Sequence, residues 1–263
     1  MTKANCLNCG KLLEDKYCSG CGQKADTHRI TFKNFIFHDV LHGTFHIDKG
    51  ILFTAKEALV RPGQAALDYI AGKRKRYYNV FYLILITIAV LFFLRNIDHY
   101  FTDVPEVSAE SKQYLNEASR KLDQIISSKS KIILFLFVPF SAINSFLLFR
   151  KKRLNLSEHC ILSGMILLGV LLISVLAHLY FPINYMLNFS SDAASYVIIT
   201  ITLVYISFGF YNAFRNLYSK FALLLRVLLL FVLLFTEIFL LFMLSYGYVT
   251  HWKFGEIHVT PFG

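Results

Sequence analysis

Charge is scarce in this chain: 17% of its 263 residues are charged, while 56% are hydrophobic. That is too apolar for an ordinary soluble domain. The motifs of soluble enzymes are also missing. There is no glycine-rich nucleotide loop, no nucleophile elbow and no complete metal-hydrolase motif, which weighs against soluble-style catalysis. No internal repeat or low-complexity tract is present. The first 76 residues are polar and cysteine-bearing, unlike a secretory signal peptide.

Cysteine is equally rare, and its placement is informative. Four of the five cysteines form two matching knuckles, Cys6-x-x-Cys9-Gly10 and Cys18-x-x-Cys21-Gly22. A two-residue gap lets both thiolates of a knuckle reach one ion, and the following glycine lets the backbone turn back toward the sulfurs. Two knuckles complete a tetrahedral shell of four thiolates, the geometry of a structural zinc. A disulfide pair or a redox C-x-x-C is the competing reading, and the glycine after each knuckle favours zinc. A closed shell leaves no open position, so this site is expected to fold its segment and perform no chemistry. The fifth cysteine, Cys160, reads as a small buried residue.

The hydrophobic runs predict a mainly α, polytopic membrane bundle with five spans, at about 79–97, 131–149, 159–181, 193–213 and 221–247. The excess of base sits beside these runs rather than on a separate face. Lys73-Arg74-Lys75-Arg76 precedes the first span, Arg150-Lys151-Lys152-Arg153 follows the second, and Arg215, Lys220 and Arg226 follow the fourth. The alternate connections are poor in base, and 98–130 carries Asp98, Asp103, Glu106, Glu110, Glu117 and Asp123. The positive-inside rule then sets the N-terminus in the cytoplasm and the C-terminus outside, with anionic headgroups as the partner of the basic runs. The expected units are a ribbon at 1–26, a juxtamembrane helical segment at 27–78, and a membrane domain at 79–263. An amphipathic stretch from Glu110 to Ile126 is expected to form a small external cap within 98–130.

The segment before the membrane carries His38, His42 and His46 at intervals of four, with Asp48 beside them. Steps of four advance about 40° around a helix, so the imidazoles fan across one face. They make a candidate second metal or polar site, set against simple packing at the membrane surface. Asp48-Lys49-Gly50 ends that helix, a second runs to Val60, Arg61-Pro62-Gly63 turns the chain, and a third runs from Gln64 to Ala71 before Gly72.

The ordered string of ribbon, H-x3-H-x3-H-x-D-K-G (His38 to Gly50), R-P-G (Arg61 to Gly63) and Y-x2-G-K-R (Tyr69 to Arg74) resembles a bacterial family of uncharacterised zinc-ribbon membrane proteins. The likeness covers about the first 80 residues, and the family carries no activity to transfer. A loose architectural likeness to Yip-domain membrane proteins adds nothing at residue level.

Within the expected spans, Arg95, His178 and Glu237 are ionisable, and intramembrane charge is a functional hypothesis by default. At ~1.5 Å per residue all three reach a similar depth, ~24–29 Å from the inner edge. They form a candidate polar layer, against the alternative of separate snorkelling. Thr200, Thr202, Tyr205, Ser207 and Asn212 read as interhelical hydrogen-bonding residues. Three functions follow, in order: a scaffold or regulator whose cytoplasmic ribbon engages a protein partner; a small transporter or lipid-handling protein using the polar layer; and a membrane metalloenzyme using the histidine face. Nucleic acid is disfavoured, because the knuckles offer only Lys3, Lys11, Lys16 and Lys24 with Tyr17 as their one aromatic.

Overall fold

The computed structural model describes residues 5–25, 27, 50–102, 117–187, 191–250 and 252. The described residues form a small cysteine module and seven α-helices: α1 (Gly50–Val60), α2 (Pro62–Ile70), α3 (Val80–Thr102), α4 (Glu117–Leu148), α5 (Leu156–Leu187), α6 (Ser191–Phe214) and α7 (Lys220–Thr250). No strand occurs among them; each cysteine knuckle is closed by one antiparallel bridge, Asn5 to Leu12 and Tyr17 to Lys24.

Each of the five expected spans falls largely within one of the helices α3 to α7, with residues 79 and 149 just outside α3 and α4. Three apolar stretches, Leu156–His178, Tyr196–Phe214 and Lys220–Thr250, are long enough to cross a membrane. Shorter apolar stretches, Val80–Leu94 and Phe135–Leu148, run within α3 and α4. The helices differ in what covers them. The α5 side chains Ile161, Leu162, Met165, Ile166, Leu167 and Leu168 are all buried, whereas Phe221, Leu224, Leu228, Val232 and Phe235 of α7 are exposed. Helix α5 is therefore the axis of the bundle, touched by α1, α2, α3, α4 and α6. The apolar outer face of α7 fits hydrocarbon rather than water.

The described end of the amphipathic stretch is continuous with the second expected span: α4 runs unbroken from Glu117 to Leu148, and residues 103–116 of the expected cap lie outside the described residues. The link through Ser127, Ser128, Lys129 and Ser130 holds neither glycine nor proline, so nothing there stops a helix. Helices α1 and α2 pack directly on α5, and α2 also packs on α6.

The R-P-G turn explains how. Pro62 occupies the first turn of α2, where its missing N–H costs nothing. A Cβ on Gly63 would run into the Gly209 carbonyl and the Ala213 backbone of α6. The close approach lets the Gln64 N–H donate to Asn212 Oδ1 at 2.7 Å and the Tyr205 hydroxyl donate to the Ala58 carbonyl. Of the five polar residues expected to link helices, Tyr205 and Asn212 thus tie α6 to the base. The Thr200, Thr202 and Ser207 hydroxyls instead donate to carbonyls of their own helix, four residues back.

Candidate metal centre and its base

The two knuckles have the same backbone. The Cys6 N–H donates to Lys11 O and the Gly10 N–H to Cys6 O; the Cys18 N–H donates to Gln23 O and the Gly22 N–H to Cys18 O, all at 2.8 Å. Gly10 and Gly22 adopt φ of 77° and 71°, the left-handed region that favours glycine. The turns deliver four sulfurs to one point. Cys6 Sγ lies 3.6 Å from Cys21 Sγ, Cys9 Sγ lies 3.5 Å from Cys18 Sγ, and all four lie within 4.8 Å of one another. A disulfide needs about 2.05 Å. A tetrahedron with metal–sulfur bonds of about 2.3 Å has edges of about 3.8 Å. The donor set and spacing fit one four-coordinate metal ion.

The thiols are unequal. The Gly20 N–H on Cys18 Sγ, at 3.4 Å, lowers that thiol. The Asn8 side chain lowers Cys21 to about 6. Cys9 runs the other way: the Lys11 backbone lowers it, but hydrogen bonding to Cys18, burial and the other thiols outweigh this and push it up to about 11. Thiolates are the ligand form, so metal binding would release the protons still held by the thiols.

The module is bolted to the helices through Gln23. Its buried side chain donates from Nε2 to Gly72 O at 2.8 Å and accepts the Lys75 N–H on Oε1 at 3.3 Å. Leu7 rests on Gly72. Beneath lies a charged network. Arg61 pairs with Glu57 and, at 3.6 Å, with Asp68, while Lys73 Nζ reaches Asp68 Oδ1 at 2.8 Å. The Tyr77 hydroxyl donates to Glu57 Oε2 at 3.5 Å, and burial raises its pKa. The Tyr78 N–H donates to Thr54 Oγ1 at 2.7 Å. Arg61 of R-P-G and Lys73 of G-K-R thus meet on one carboxylate.

Other candidate residues fall as follows. His38, His42, His46 and Asp48 lie outside the described residues. The Arg95 side chain does too, although its helix, α3, is described. His178 Nδ1 sits 2.9 Å from the Ser174 carbonyl of its own helix. Glu237 Oε2 accepts from Asn144 Nδ2 at 3.0 Å, a residue outside the candidate layer. Glu237 belongs to α7, which packs on α4, whereas α3, the helix that carries residue 95, packs on α5.

A buried polar seam between α4 and α5 was not among the sequence expectations. Ser145 Oγ lies 2.8 Å from His159 Nδ1, and Ser163 donates to Ser141 at 3.2 Å. The spacing Ser141, Asn144, Ser145 on one helix and His159, Ser163 on the next was the available signal, because steps of three and four share a helix face. Asn155 and Glu158 were another. The Glu158 N–H donates to Asn155 Oδ1 at 2.9 Å, and the Asn155 N–H donates to Glu158 Oε2 at 2.8 Å, a reciprocal capping box that starts α5.

The molecule is thus a helical protein with membrane-length apolar helices and a four-cysteine cluster suited to a metal ion. Residues 48–92 match a family described as "Protein of unknown function (DUF3667)", a stretch that spans α1, α2, the basic run and the start of α3. No curated protein and no solved structure matches the chain.

Proposed function

We propose that the chain is a five-span inner-membrane scaffold or regulator, with a cytoplasmic structural-zinc ribbon held rigidly on the membrane domain to engage a protein partner. The observation that carries this reading is the Gln23 bridge to Gly72 and Lys75. A ribbon on a flexible tether would need no buried side chain clamping the base. Fixed in this way, it keeps Tyr17 61% exposed and Leu12 37% exposed, apolar side chains open to a partner. The four sulfurs leave no position for a substrate, which supports a structural ion over a catalytic one.

The test uses the full chain. Metal analysis of the purified protein should find one zinc per chain, lost in Cys18→Ser. A photocrosslinker replacing Tyr17 should form a discrete protein adduct in cells that disappears with Cys18→Ser, while one replacing Lys56 should not. Absence of the Tyr17 adduct contradicts the partner reading, and two or more metals per chain favour a metalloenzyme that uses His38, His42 and His46. The transport alternative draws support from the part-buried Asn144–Glu237 and buried Ser145–His159 contacts, since polar groups within apolar helices are retained at a cost. Glu237→Gln should leave function intact if those contacts only pack helices.

A further inference from the structure

Of two tetrabasic runs separated by more than seventy residues, the first meets the cysteine module at Lys75 and the second shares a cavity wall with it. The run 73–76 follows α2 and leads into α3, and the run 150–153 leads into α5. Between the end of α2 and the second run lies a cavity of about 440 Å³. Its walls are Leu7 of the cysteine module, Ile70, Ala71 and Gly72 at the end of α2, and Lys152 and Arg153. The volume falls in the range of small-ligand sites.

The second run is divided between two tasks. Lys151 turns toward α7: its backbone N–H donates to the Tyr218 hydroxyl at 3.0 Å and its Nζ to the Leu217 carbonyl at 3.1 Å. Lys152 and Arg153 line the cavity. Arg153 adopts φ 51° and ψ 37°, a left-handed conformation uncommon for a residue with a Cβ. The one acid in the wall, Glu158, directs Oε2 to the Asn155 N–H in the capping box. The wall therefore holds two cations to one acid, together with Leu7 and Ile70.

Position decides between ligands. Both basic runs end a few residues before apolar helices begin, α3 at Val80 and α5 at Leu156, with Tyr77 and Tyr78 between the first run and its helix. The cavity thus sits at the polar-to-apolar boundary, where phospholipid phosphates lie and aromatic belts form. We propose that it is a binding site for the headgroup of one anionic phospholipid, with Lys152 and Arg153 on the phosphate and Leu7 and Ile70 against its glycerol backbone. Basic pockets at this level recognise headgroups by paired charge and hydrogen bonding. The cysteine module supplies one wall, so the site is complete only when the module is docked.

The test is native mass spectrometry of the full, metal-loaded chain released from nanodiscs of phosphatidylcholine mixed with phosphatidylglycerol. The chain should retain one phosphatidylglycerol. Lys152→Gln with Arg153→Gln should weaken retention about tenfold or more. Lys152→Arg with Arg153→Lys should keep it. Arg215→Gln with Lys220→Gln removes equal charge from the α6–α7 connection and should leave it unchanged. Metal content and helicity, measured on each variant, should equal those of the unaltered chain. Equal loss in both Gln pairs would mean diffuse charge attraction and overturn the site. Unchanged retention in the 152/153 pair overturns it as well. Displacement of the lipid by inorganic phosphate at matched ionic strength would assign the cavity to a free anion instead.

Discussion

Between residues 5 and 25, only Cys6, Cys18 and Gln23 are buried. In the base from residue 50 to 78, burial runs through Thr54, Glu57, Ala58, Ala65, Ala66, Leu67, Asp68, Tyr69, Tyr77 and Tyr78. A module with so little interior cannot offset the entropy of ordering its chain by apolar burial, so its order must come from a cross-link. The base needs none, because α5 and α6 supply the other half of its core. Of the three buried groups in the module, two are cysteines of the cluster and the third is the clamp. On the proposed reading one region is held by an ion and the other by contacts with distant helices, so perturbations should separate them.

The largest effect should follow loss of the metal. Chelation, or Cys18→Ser, should remove on the order of 10 kcal/mol of metal-linked stability from the module. Protease nicking should then appear within residues 5–25 while circular dichroism reports unchanged helix. Next, Gly63→Leu should drive a side chain into the Gly209 carbonyl and the Ala213 backbone. That overpacking should cost about 3 kcal/mol and lower the thermal midpoint of the detergent-solubilised helical domain without affecting metal content. Asp68→Asn removes the shared partner of Arg61 and Lys73. Those two cations are partly exposed and screened, so the loss should be about 2 kcal/mol, read from the same midpoint. Smallest is Gln23→Ala, about 1 kcal/mol, from two hydrogen bonds that water can partly replace. It should leave the metal bound but make the module easier to cross-link away from residues 72–75.

The two regions were also unequally legible in sequence. The cysteine knuckles are local: spacing, glycines and ligands all fall within a few residues, so the residues alone announce the cluster. The helical starts near Gly50 and Pro62 were local in the same way. The reason for Gly63 was not, because its contact lies on α6 near Gly209, far along the chain. R-P-G therefore read as a turn, although its glycine serves helix packing. The expected common depth of Arg95, His178 and Glu237 carried no information on adjacency. Depth does not say which helices are neighbours, and the shown partner of Glu237 is Asn144 of α4. His159 carries no signal by itself, because its partner Ser145 sits across the connection between α4 and α5. Asn155-x-x-Glu158 was readable as a capping box from its residues alone.

Hydrogen–deuterium exchange on the full chain in nanodiscs, with metal bound and after chelation, tests the central contrast most directly. Chelation should raise exchange across residues 5–25 and at 72–75, where Gln23 releases the backbone, and leave α1, α2 and α5 as protected as before. Protection of residues 5–25 that survives chelation, or opening of α1 and α2 along with them, would contradict the account.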